Sequence, residues 1–208
     1  MRPCPICGST ERREGNGRPR AGCVGCGSLE RQRALAGGLA DLLVPTGNGS
    51  GRVLECAPNS PMLLGNWLRD RGWHYESFDK RSFREPFHPG VFDRFVDHDA
   101  DVTDMRFART GGYELVLLQH VLEQVPDYLA GLDELARVVE PGGRAVLEIA
   151  WRRERPTTEP LAPNKHGHRW VIGADVLPEL HARFASVEPR ELVDEDGYKG
   201  TFFICRPG

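Results

Sequence analysis

The sequence predicts an α/β protein in which a mostly parallel sheet is covered by helices, with a small cysteine-rich module in front of it. Three observations predict this architecture. Apolar runs without polar alternation, such as residues 115–118 (LVLL), are typical of parallel strands buried on both faces. Segments with helical periodicity alternate with these runs. Two CxxC pairs stand within the first 26 residues.

Length and composition agree with this fold class. The chain has 208 residues, 39% of them hydrophobic, which is enough for one substantial core and a small accessory module. Its net charge is −3, so it lacks the overall positive charge of a nucleic-acid binder. No apolar run approaches a membrane span, and the first residues contain no signal-peptide core. We therefore expect a cytoplasmic protein without a membrane partner, whose oligomeric state the sequence does not indicate.

The cysteine-rich module has the spacing of a metal site. Cys4 and Cys7 form one CxxC pair, and Cys23 and Cys26 form the second after 15 intervening residues. This spacing is typical of a four-thiolate zinc site. A glycine follows each pair and can adopt the positive φ that such metal-binding turns require. A disulfide framework is the alternative, and the lack of a secretory signal weakens it.

This module, predicted as residues 1–33 with the main domain at 34–208, has two candidate roles. Zinc can supply the folding free energy that about thirty residues lack, or the module can recognise a substrate. Its local charge is +4, from seven arginines less three glutamates: Arg2, Arg12, Arg13, Arg18, Arg20, Arg31 and Arg33 against Glu11, Glu14 and Glu30. No aromatic residue is interleaved for base stacking, so a structural role is favoured over nucleic-acid binding.

A helix is expected to connect the module to the main domain. Ser28 is its predicted cap, and leucines from Leu29 to Leu43 follow at helical spacing. Gly37 and Gly38 in its middle indicate either close packing or a break.

The first two strands of the main domain carry candidate ligand contacts. A strand over residues 52–57 precedes a helix over 61–71, and the loop between them is expected to face a ligand, since open α/β sheets bind ligands at the carboxyl ends of their strands. The second strand covers residues 74–78 and is ended by Asp79. A carboxylate at that point can accept two hydrogen bonds from a ribose diol, so Asp79 is a candidate cofactor-binding residue.

The next two strands end at the same edge. The third is predicted over residues 94–98, and the fourth begins at Tyr113. Gln119 and His120 form the polar end of the fourth strand, which makes Gln119 a candidate cofactor contact. His120 is the candidate catalytic residue, either as a general base or as a group that orients an acceptor oxygen or nitrogen, because an unperturbed histidine titrates near neutral pH.

The second half of the chain completes the sheet. Asp127 is expected to begin an amphipathic helix that Pro-Gly-Gly at 141–143 stops. A fifth strand over 144–150 follows, then a helix over 175–184 and a terminal hairpin around Asp196-Gly197.

A Pro-rich loop after the fifth strand supplies candidate substrate contacts. Loops at this edge of an α/β sheet usually close over the bound substrate. The candidates are Trp151, His166, His168 and Trp170.

Two stretches resemble a known family. Residues 113–149, YELVLLQHVLEQVPDYLAGLDELARVVEPGGRAVLEI, are similar to class I S-adenosylmethionine (SAM)-dependent methyltransferases of the methyltransferase-11 type. Residues 53–59, VLECAPN, resemble the "LHFAPE" variant of that family's first motif, found in members with an amino-terminal zinc ribbon. The resemblance implies a Rossmann-like class I methyltransferase fold with seven strands and a terminal antiparallel hairpin, and SAM and Zn²⁺ as cofactors.

The resemblance also implies roles for individual residues. Glu55 corresponds to the acid that contacts the SAM amino group. The loop formed by Ala57, Pro58 and Asn59 corresponds to the loop that lies beside the cofactor. In commoner members of the family, glycines occupy the positions of Ala57, Asn59 and Pro61. Asp101 and Val102 correspond to residues that contact the adenine; an Asx-rich surface turn is the alternative for this segment. The family often has a second histidine where this chain has Gln124, which argues against a paired-histidine mechanism.

The expected activity is methyl transfer from SAM to an oxygen, nitrogen or carbon nucleophile of a small-molecule acceptor, in which alignment of the reactants is the main contribution of the protein. Two alternatives stay open: an RNA or protein methyltransferase that uses the zinc ribbon for recognition, and a non-catalytic SAM- or partner-binding scaffold. A nicotinamide-dependent oxidoreductase is disfavoured because no GxGxxG opens the first helix of the main domain.

Overall fold

The computed structural model describes residues 2–15, 17–47, 49–58, 63–84, 96–162 and 167–208. Asn59, Pro61 and His166, and part of the predicted third strand, lie outside the described residues. Within the described ranges, every helix is too short or too polar to cross a membrane.

The elements follow one another in an α/β order. The strands are β1 (Arg12–Gly15), β2 (Arg18–Cys23), β3 (Arg52–Cys56), β4 (His74–Asp79), β5 (His98–Asp99), β6 (Tyr113–Gln119), β7 (Val139–Glu148), β8 (Glu159–Pro160), β9 (Trp170–Val171), β10 (Ser186–Val193) and β11 (Lys199–Arg206). The helices are α1 (Glu30–Gly38), α2 (Leu63–Arg69), α3 (Arg81–Arg84), α4 (Tyr128–Val138) and α5 (Val176–His181).

Seven strands form one sheet in the order β10-β11-β7-β6-β3-β4-β5. The five strands from β7 to β5 are parallel to one another. The β10–β11 hairpin adds to β7 in antiparallel orientation. The predicted mostly parallel seven-stranded sheet with a terminal antiparallel hairpin is therefore confirmed.

Each face of this sheet buries its own core. Leu54, Val116 and Leu118 belong to the cluster that packs against α4 and α5. Their neighbours Val53 and Leu117 belong to the cluster that packs against α1 and α2. Successive strand residues point to opposite faces, so a strand covered on both faces needs apolar residues at every position.

The start of α1 differs from the predicted cap. Leu29, not Ser28, occupies the position before the helix, and its N–H donates to Gln32 Oε1 at 2.9 Å. The Ser28 hydroxyl lies instead 3.2 Å from Cys26 Sγ, because the preceding turn holds it against the cysteine cluster. The helix ends at Gly38, which packs so closely on Leu192 that a Cβ there would lie 2.8 Å from that side chain. Both expectations for the glycine pair, a break and close packing, are met.

The end of α4 also differs from prediction. Asp127 caps the helix as expected and accepts from Ala130 N at 3.0 Å. The prediction that residues 141–143 stop the helix was wrong, because it ends at Val138 and Val139 already begins β7. Residues 111–112 explain the earlier stop: their N–H groups donate to the last carbonyls of the helix, those of residues 137 and 138, at 2.9 Å each.

The amino-terminal module packs against the main sheet's helices. Its strands β1 and β2 form a two-stranded antiparallel sheet. Trp67 of α2 donates its indole N–H to Pro5 O at 3.2 Å, and Ile6 packs against the core under α1 and α2. The predicted boundary between residues 33 and 34 falls within α1, and the division into two domains stays a prediction.

Three arginines of the module pair with the turn of the terminal hairpin. Arg33 Nη2 lies 2.7 Å from Asp194 Oδ2, and both side chains are fully buried. Arg12 and Arg20 contact Asp196 at 2.6 and 2.7 Å, and Arg12 also pairs with Glu195. Much of the positive charge counted from the sequence is therefore offset within the molecule.

Candidate functional site

The carboxyl ends of β3, β4 and β6 form one edge of the sheet. Cys56 is in register with Phe78 on β4 and with Leu118 on β6, so residues near these positions are neighbours in space. Glu55 and Asp79, predicted from the sequence as cofactor contacts, both lie at this edge and are 6% and 9% exposed. The structure thus brings two carboxylates to adjacent strand ends, where open α/β sheets bind ligands.

Glu55 is held by a tyrosine of the neighbouring strand. Tyr75 donates its hydroxyl hydrogen to Glu55 Oε2 at 2.5 Å. Burial raises the pKa of Tyr75 well above its usual value, and the adjacent Glu55 carboxylate adds to this effect. The phenol therefore stays protonated and acts as a permanent donor to Glu55. Sequence reasoning missed Tyr75, which alternation along β4 marks only as a buried residue.

The loop after β3 has the backbone shape that glycine normally provides. Ala57 has a φ of +50°, in the left-handed region that residues with a Cβ rarely adopt. Its N–H donates to Phe78 O at 2.8 Å, which fixes the turn against β4. Such a conformation costs on the order of 1 kcal/mol in a non-glycine residue. Pro58 beside it is buried. The loop keeps a glycine-like turn although the glycine is absent.

Asp79 sits at the last position of β4. Its Oδ1 accepts from Lys80 N at 2.7 Å, and its carbonyl accepts from Ala100 N at 3.1 Å. These bonds fix both the side chain and the backbone at the strand end. The ribose-binding role stays a prediction.

The segment after β5 forms the turn that was the alternative to adenine contact. Asp101 Oδ1 accepts from the N–H and the hydroxyl of Thr103 at 3.0 and 2.9 Å, and Oδ2 accepts from Lys80 Nζ at 2.7 Å. Burial alone would raise the pKa of Asp101, but the Lys80 and Thr103 bonds outweigh it and lower that pKa. Val102 is buried among core side chains. The turn is formed, and adenine contact by this segment stays a prediction.

His120 is clamped between two carboxylates. Its Nδ1 lies 2.9 Å from Glu123 Oε1, and its Nε2 lies 3.4 Å from Glu148 Oε1. Burial alone would lower the pKa of His120, but the bonds to the two glutamates outweigh it and raise the pKa to about 9. A general base must be unprotonated, whereas this environment favours the charged form of His120, and the catalytic role of His120 stays a prediction.

Glu148 and Tyr198 are further polar residues at this edge that sequence reasoning missed. Glu148 ends β7, is 1% exposed, and accepts from Gln119 Nε2 at 2.9 Å and from the Tyr198 hydroxyl at 2.6 Å. A signal was present, because a glutamate interrupts the otherwise apolar run of residues 145–150. Tyr198 lies fifty residues away in the terminal hairpin, and no local pattern links the two.

The predicted acceptor loop is partly built into the core. Trp170 donates its indole N–H to Val125 O at 2.8 Å and meets Tyr128 edge-on at 5.5 Å. Trp151 packs edge-on against Phe203 at 5.2 Å. His168 is half-buried between Gly167 and Arg169. The substrate roles of these residues stay predictions.

The loop does reach over the sheet edge. A Cβ on Gly167 would lie 2.9 Å from the ring of Phe83 in α3, which follows β4. The segments after β4 and after β7 therefore meet.

The four cysteines of the CxxC pairs lie together. All four sulfur atoms are within 4.8 Å of one another, with Cys4 and Cys26 at 3.9 Å and Cys7 and Cys23 at 3.6 Å. A tetrahedral zinc with bonds of about 2.3 Å separates its sulfur ligands by about 3.8 Å, so the cluster fits this ion. The contact with Cys26 Sγ is the main cause that lowers the pKa of Cys4 to about 4.

The glycines after the pairs adopt the expected backbone. Gly8 and Gly27 have φ values of +78° and +75°, and their N–H groups donate to the carbonyls of Cys4 and Cys23 at 2.8 Å. Both turns therefore have the geometry predicted from the CxxCG pattern.

A family model described as "Methyltransferase domain" matches residues 29–184. No curated protein matches the sequence. One similar solved structure is a chain of the complex between the Haloferax volcanii Trm112 methyltransferase activator and a candidate methyltransferase, with 15% identity, a TM-score of 0.58, and coverage of 86% of this chain and 91% of that one.

Two further solved structures are similar. A 1,6-didemethyltoxoflavin-N1-methyltransferase from Burkholderia thailandensis, with bound 1,6-didemethyltoxoflavin and S-adenosylhomocysteine, has 17% identity, a TM-score of 0.53, and coverage of 84% of this chain and 76% of that one. The [4+2]-cyclase SpnF has 14% identity, a TM-score of 0.57, and coverage of 97% and 89%. At these identities the likeness shows the fold alone, which the cyclase illustrates because it shares the fold and is named for a different reaction.

Proposed function

The chain belongs to the family of methyltransferase domains, and from that premise we propose that it transfers a methyl group from SAM to an oxygen, nitrogen or carbon nucleophile of a small-molecule acceptor. The observation that carries this proposal is the pair of buried carboxylates, Glu55 and Asp79, at the ends of the adjacent parallel strands β3 and β4. Acids at these two positions match the amino group and the ribose diol of one extended nucleoside ligand.

In this proposal each edge residue has one role. Glu55 accepts from the amino group of the cofactor with the carboxylate that Tyr75 orients, and Asp79 accepts from the ribose hydroxyls. The left-handed turn at Ala57 and the buried Pro58 let the backbone approach the cofactor closely. Asn59, the next residue in the sequence, keeps its predicted role as a cofactor contact. The remaining parts of the cofactor are contacted by three further residues. Asp101 and Val102 contact the adenine, and Gln119 contacts another part of the cofactor.

SAM supplies an already activated methyl group, so the protein's task is alignment and exclusion of water. The sheet edge fixes the donor side, and the segments that meet at Phe83 and Gly167 shield the acceptor side. His120 holds its proton between Glu123 and Glu148 and orients the end of β6. The acceptor is bordered by the four predicted substrate contacts, Trp151, His166, His168 and Trp170.

We also propose that residues 1–33 form a zinc ribbon in which Cys4, Cys7, Cys23 and Cys26 hold one Zn²⁺. The sulfur distances support this ion, and the packing of Pro5 and Ile6 against α2 and the core supports a structural role. The pairing of Arg12, Arg20 and Arg33 with the hairpin turn weakens the alternative of polymer recognition, since those charges are already engaged.

Calorimetric titration of the full chain with SAM and with S-adenosylhomocysteine tests the proposal. We expect micromolar binding, and an Asp79→Ala variant should bind about 10- to 100-fold more weakly, because hydrogen bonds to a charged group are worth about 1.5–3 kcal/mol. The matched control is Asp104→Ala, which removes an exposed carboxylate whose salt bridge is to Arg106. No binding by the unmodified chain would overturn the proposal, and equal affinity of both variants would remove Asp79 from the site.

A further inference from the structure

Glu148 is a buried carboxylate with hydrogen-bond donors on two sides. Its Oε2 accepts from Gln119 Nε2 at 2.9 Å, and its Oε1 accepts from the Tyr198 hydroxyl at 2.6 Å and faces His120 Nε2 at 3.4 Å. The residue is 1% exposed. A buried charge is stable only when such partners replace water, so these contacts fix where the carboxylate lies.

The electrostatics agree with a carboxylate that is ionised at neutral pH. Burial would raise the pKa of Glu148, but His120, Tyr198 and the nearby Arg31 outweigh it and lower that pKa. The charge on Glu148 in turn contributes to the raised pKa of His120. The groups that face the His120 ring are thus Glu123 from its own loop and Glu148 from β7, with Tyr198 and Arg31 acting on Glu148.

Glu148 contacts both the last residue of β6, Gln119, and the residue that follows it, His120. Gln119 is in register with it across the parallel β6–β7 pair, and its amide hydrogen goes to Glu148. The His120 N–H donates to the Glu148 carbonyl at 2.9 Å, and His120 adopts a φ of +56°. A non-glycine residue persists in this conformation only where its surroundings hold it.

Glu148 is in turn held by the terminal hairpin. Tyr198 N donates to Asp194 Oδ1 at 2.8 Å, and Asp194 forms the buried pair with Arg33 of α1. Gly200 allows the hairpin to approach this closely, because a Cβ there would lie 2.7 Å from Glu148 Oε1. Gln32 of α1 also reaches Gln119, at 3.5 Å between Nε2 and Oε1. A continuous set of contacts therefore links the amino-terminal module to the end of β6.

We propose that Glu148 is a positioning residue of the site, which orients Gln119 and His120 at the end of β6 and is itself oriented by Tyr198. The proposal rests on the cofactor role given above to Gln119. In it, Glu148 touches neither cofactor nor acceptor. It also gives the terminal hairpin and the module behind it a function at the site edge, because they place the Tyr198 hydroxyl.

The test compares Glu148→Gln and Tyr198→Phe with the matched control Tyr113→Phe. Tyr113 also donates to a carboxylate, Glu76, at 2.9 Å, but it lies at the opposite end of β6. Two quantities are measured in each protein: the NMR titration of the His120 ring and the calorimetric affinity for S-adenosylhomocysteine. Circular dichroism checks that each variant is folded. If Glu148→Gln does not fold, Tyr198→Phe is the variant that tests the proposal.

In Glu148→Gln we expect the pKa of His120 to fall by at least one unit and the affinity to weaken about tenfold. Tyr198→Phe should weaken the affinity by a smaller factor, and Tyr113→Phe should change neither quantity. An unchanged His120 titration in Glu148→Gln overturns the positioning role, whether or not the ligand binds. Unchanged affinity for S-adenosylhomocysteine in both Glu148→Gln and Tyr198→Phe also overturns the positioning role, provided that the unmodified chain binds this ligand. Absence of binding by the unmodified chain instead counts against the proposed function, and the His120 titration still decides the positioning role.

Discussion

The Tyr75 hydroxyl lies 2.5 Å from Glu55 Oε2 and joins the second strand of the main domain to the end of the first. The ring of Tyr75 rests against Gly65 of α2 and under the guanidinium of Arg69, 4.5 Å from the ring centroid. The position of the Glu55 carboxylate therefore depends on α2, the helix that follows the loop after β3. This arrangement couples the packing of α2 to the proposed contact with the amino group of SAM.

Gly65 should be the helical glycine that least tolerates a side chain. A Cβ at Gly65 would lie 2.7 Å from the Tyr75 ring, so Gly65→Ala must displace Tyr75 and we expect a loss of about 1–3 kcal/mol in the free energy of unfolding. The matched control is Gly37→Ala in α1, whose Cβ meets only Pro5 at 3.6 Å. That variant should gain up to about 1 kcal/mol from helix propensity. Urea denaturation measures both, and equal effects would contradict the close approach.

The charge on His120 should make stability depend on pH. Its pKa is about 9 in the folded chain and near 6.5 when unperturbed, so its stabilisation is fully present below pH 6.5 and is lost as pH rises through 9. The contribution amounts to at most about 3 kcal/mol. We expect the difference in unfolding free energy between the unmodified chain and His120→Asn to shrink between pH 6 and pH 9.5.

Asparagine is the suitable replacement because it tolerates the positive φ of His120. His74→Asn, at an exposed histidine, is the control and should show no such trend. A difference for His120→Asn that stays constant over this pH range would refute the clamped, charged state.

The cysteine cluster should bind one zinc ion per chain. Cys7→Ser and Cys26→Ser should each lower the bound zinc well below one equivalent and loosen β1 and β2, because a structural ion supplies folding free energy. Elemental analysis and hydrogen exchange measure the two effects. Cys205→Ala is the control, since Cys205 is buried in the sheet core and should leave the zinc content unchanged. Full zinc retention in both serine variants would exclude the four-thiolate site.

The buried pair between Arg33 and Asp194 should be far more important for stability than an exposed ion pair at the surface. Arg33→Met leaves Asp194 buried without its main partner, and we expect a loss of about 3–5 kcal/mol. Arg155→Met breaks the pair with Glu159, but both of these side chains are about half exposed, at 49% and 55%, so the loss should stay below about 1 kcal/mol. Chemical denaturation measures the free energy of unfolding of both variants. Similar losses would contradict the stabilising role of the buried Arg33–Asp194 pair.

Several features followed from the sequence by itself. The apolar run at 115–118 determined a strand covered on both faces, since only residues without polar side chains suit both cores. The CxxCG pattern determined the cysteine cluster and its positive-φ glycines, because the ligands and turns of each pair lie within a few residues. The position of Asp79 at the end of β4 was also predicted, because the residues that end a strand are encoded locally in the sequence.

The tertiary structure alone decided the contacts that hold the site together. Tyr75 reaches Glu55 across twenty residues, Tyr198 reaches Glu148 across fifty, and Arg33 reaches Asp194 across 161. It also decided that α4 ends at Val138, where residues from another loop cap the helix. Periodicity and spacing record only what a residue shares with its near neighbours along the chain. The partners of buried charges and helix ends are instead set by which elements pack together, so they emerge only once the whole chain is folded.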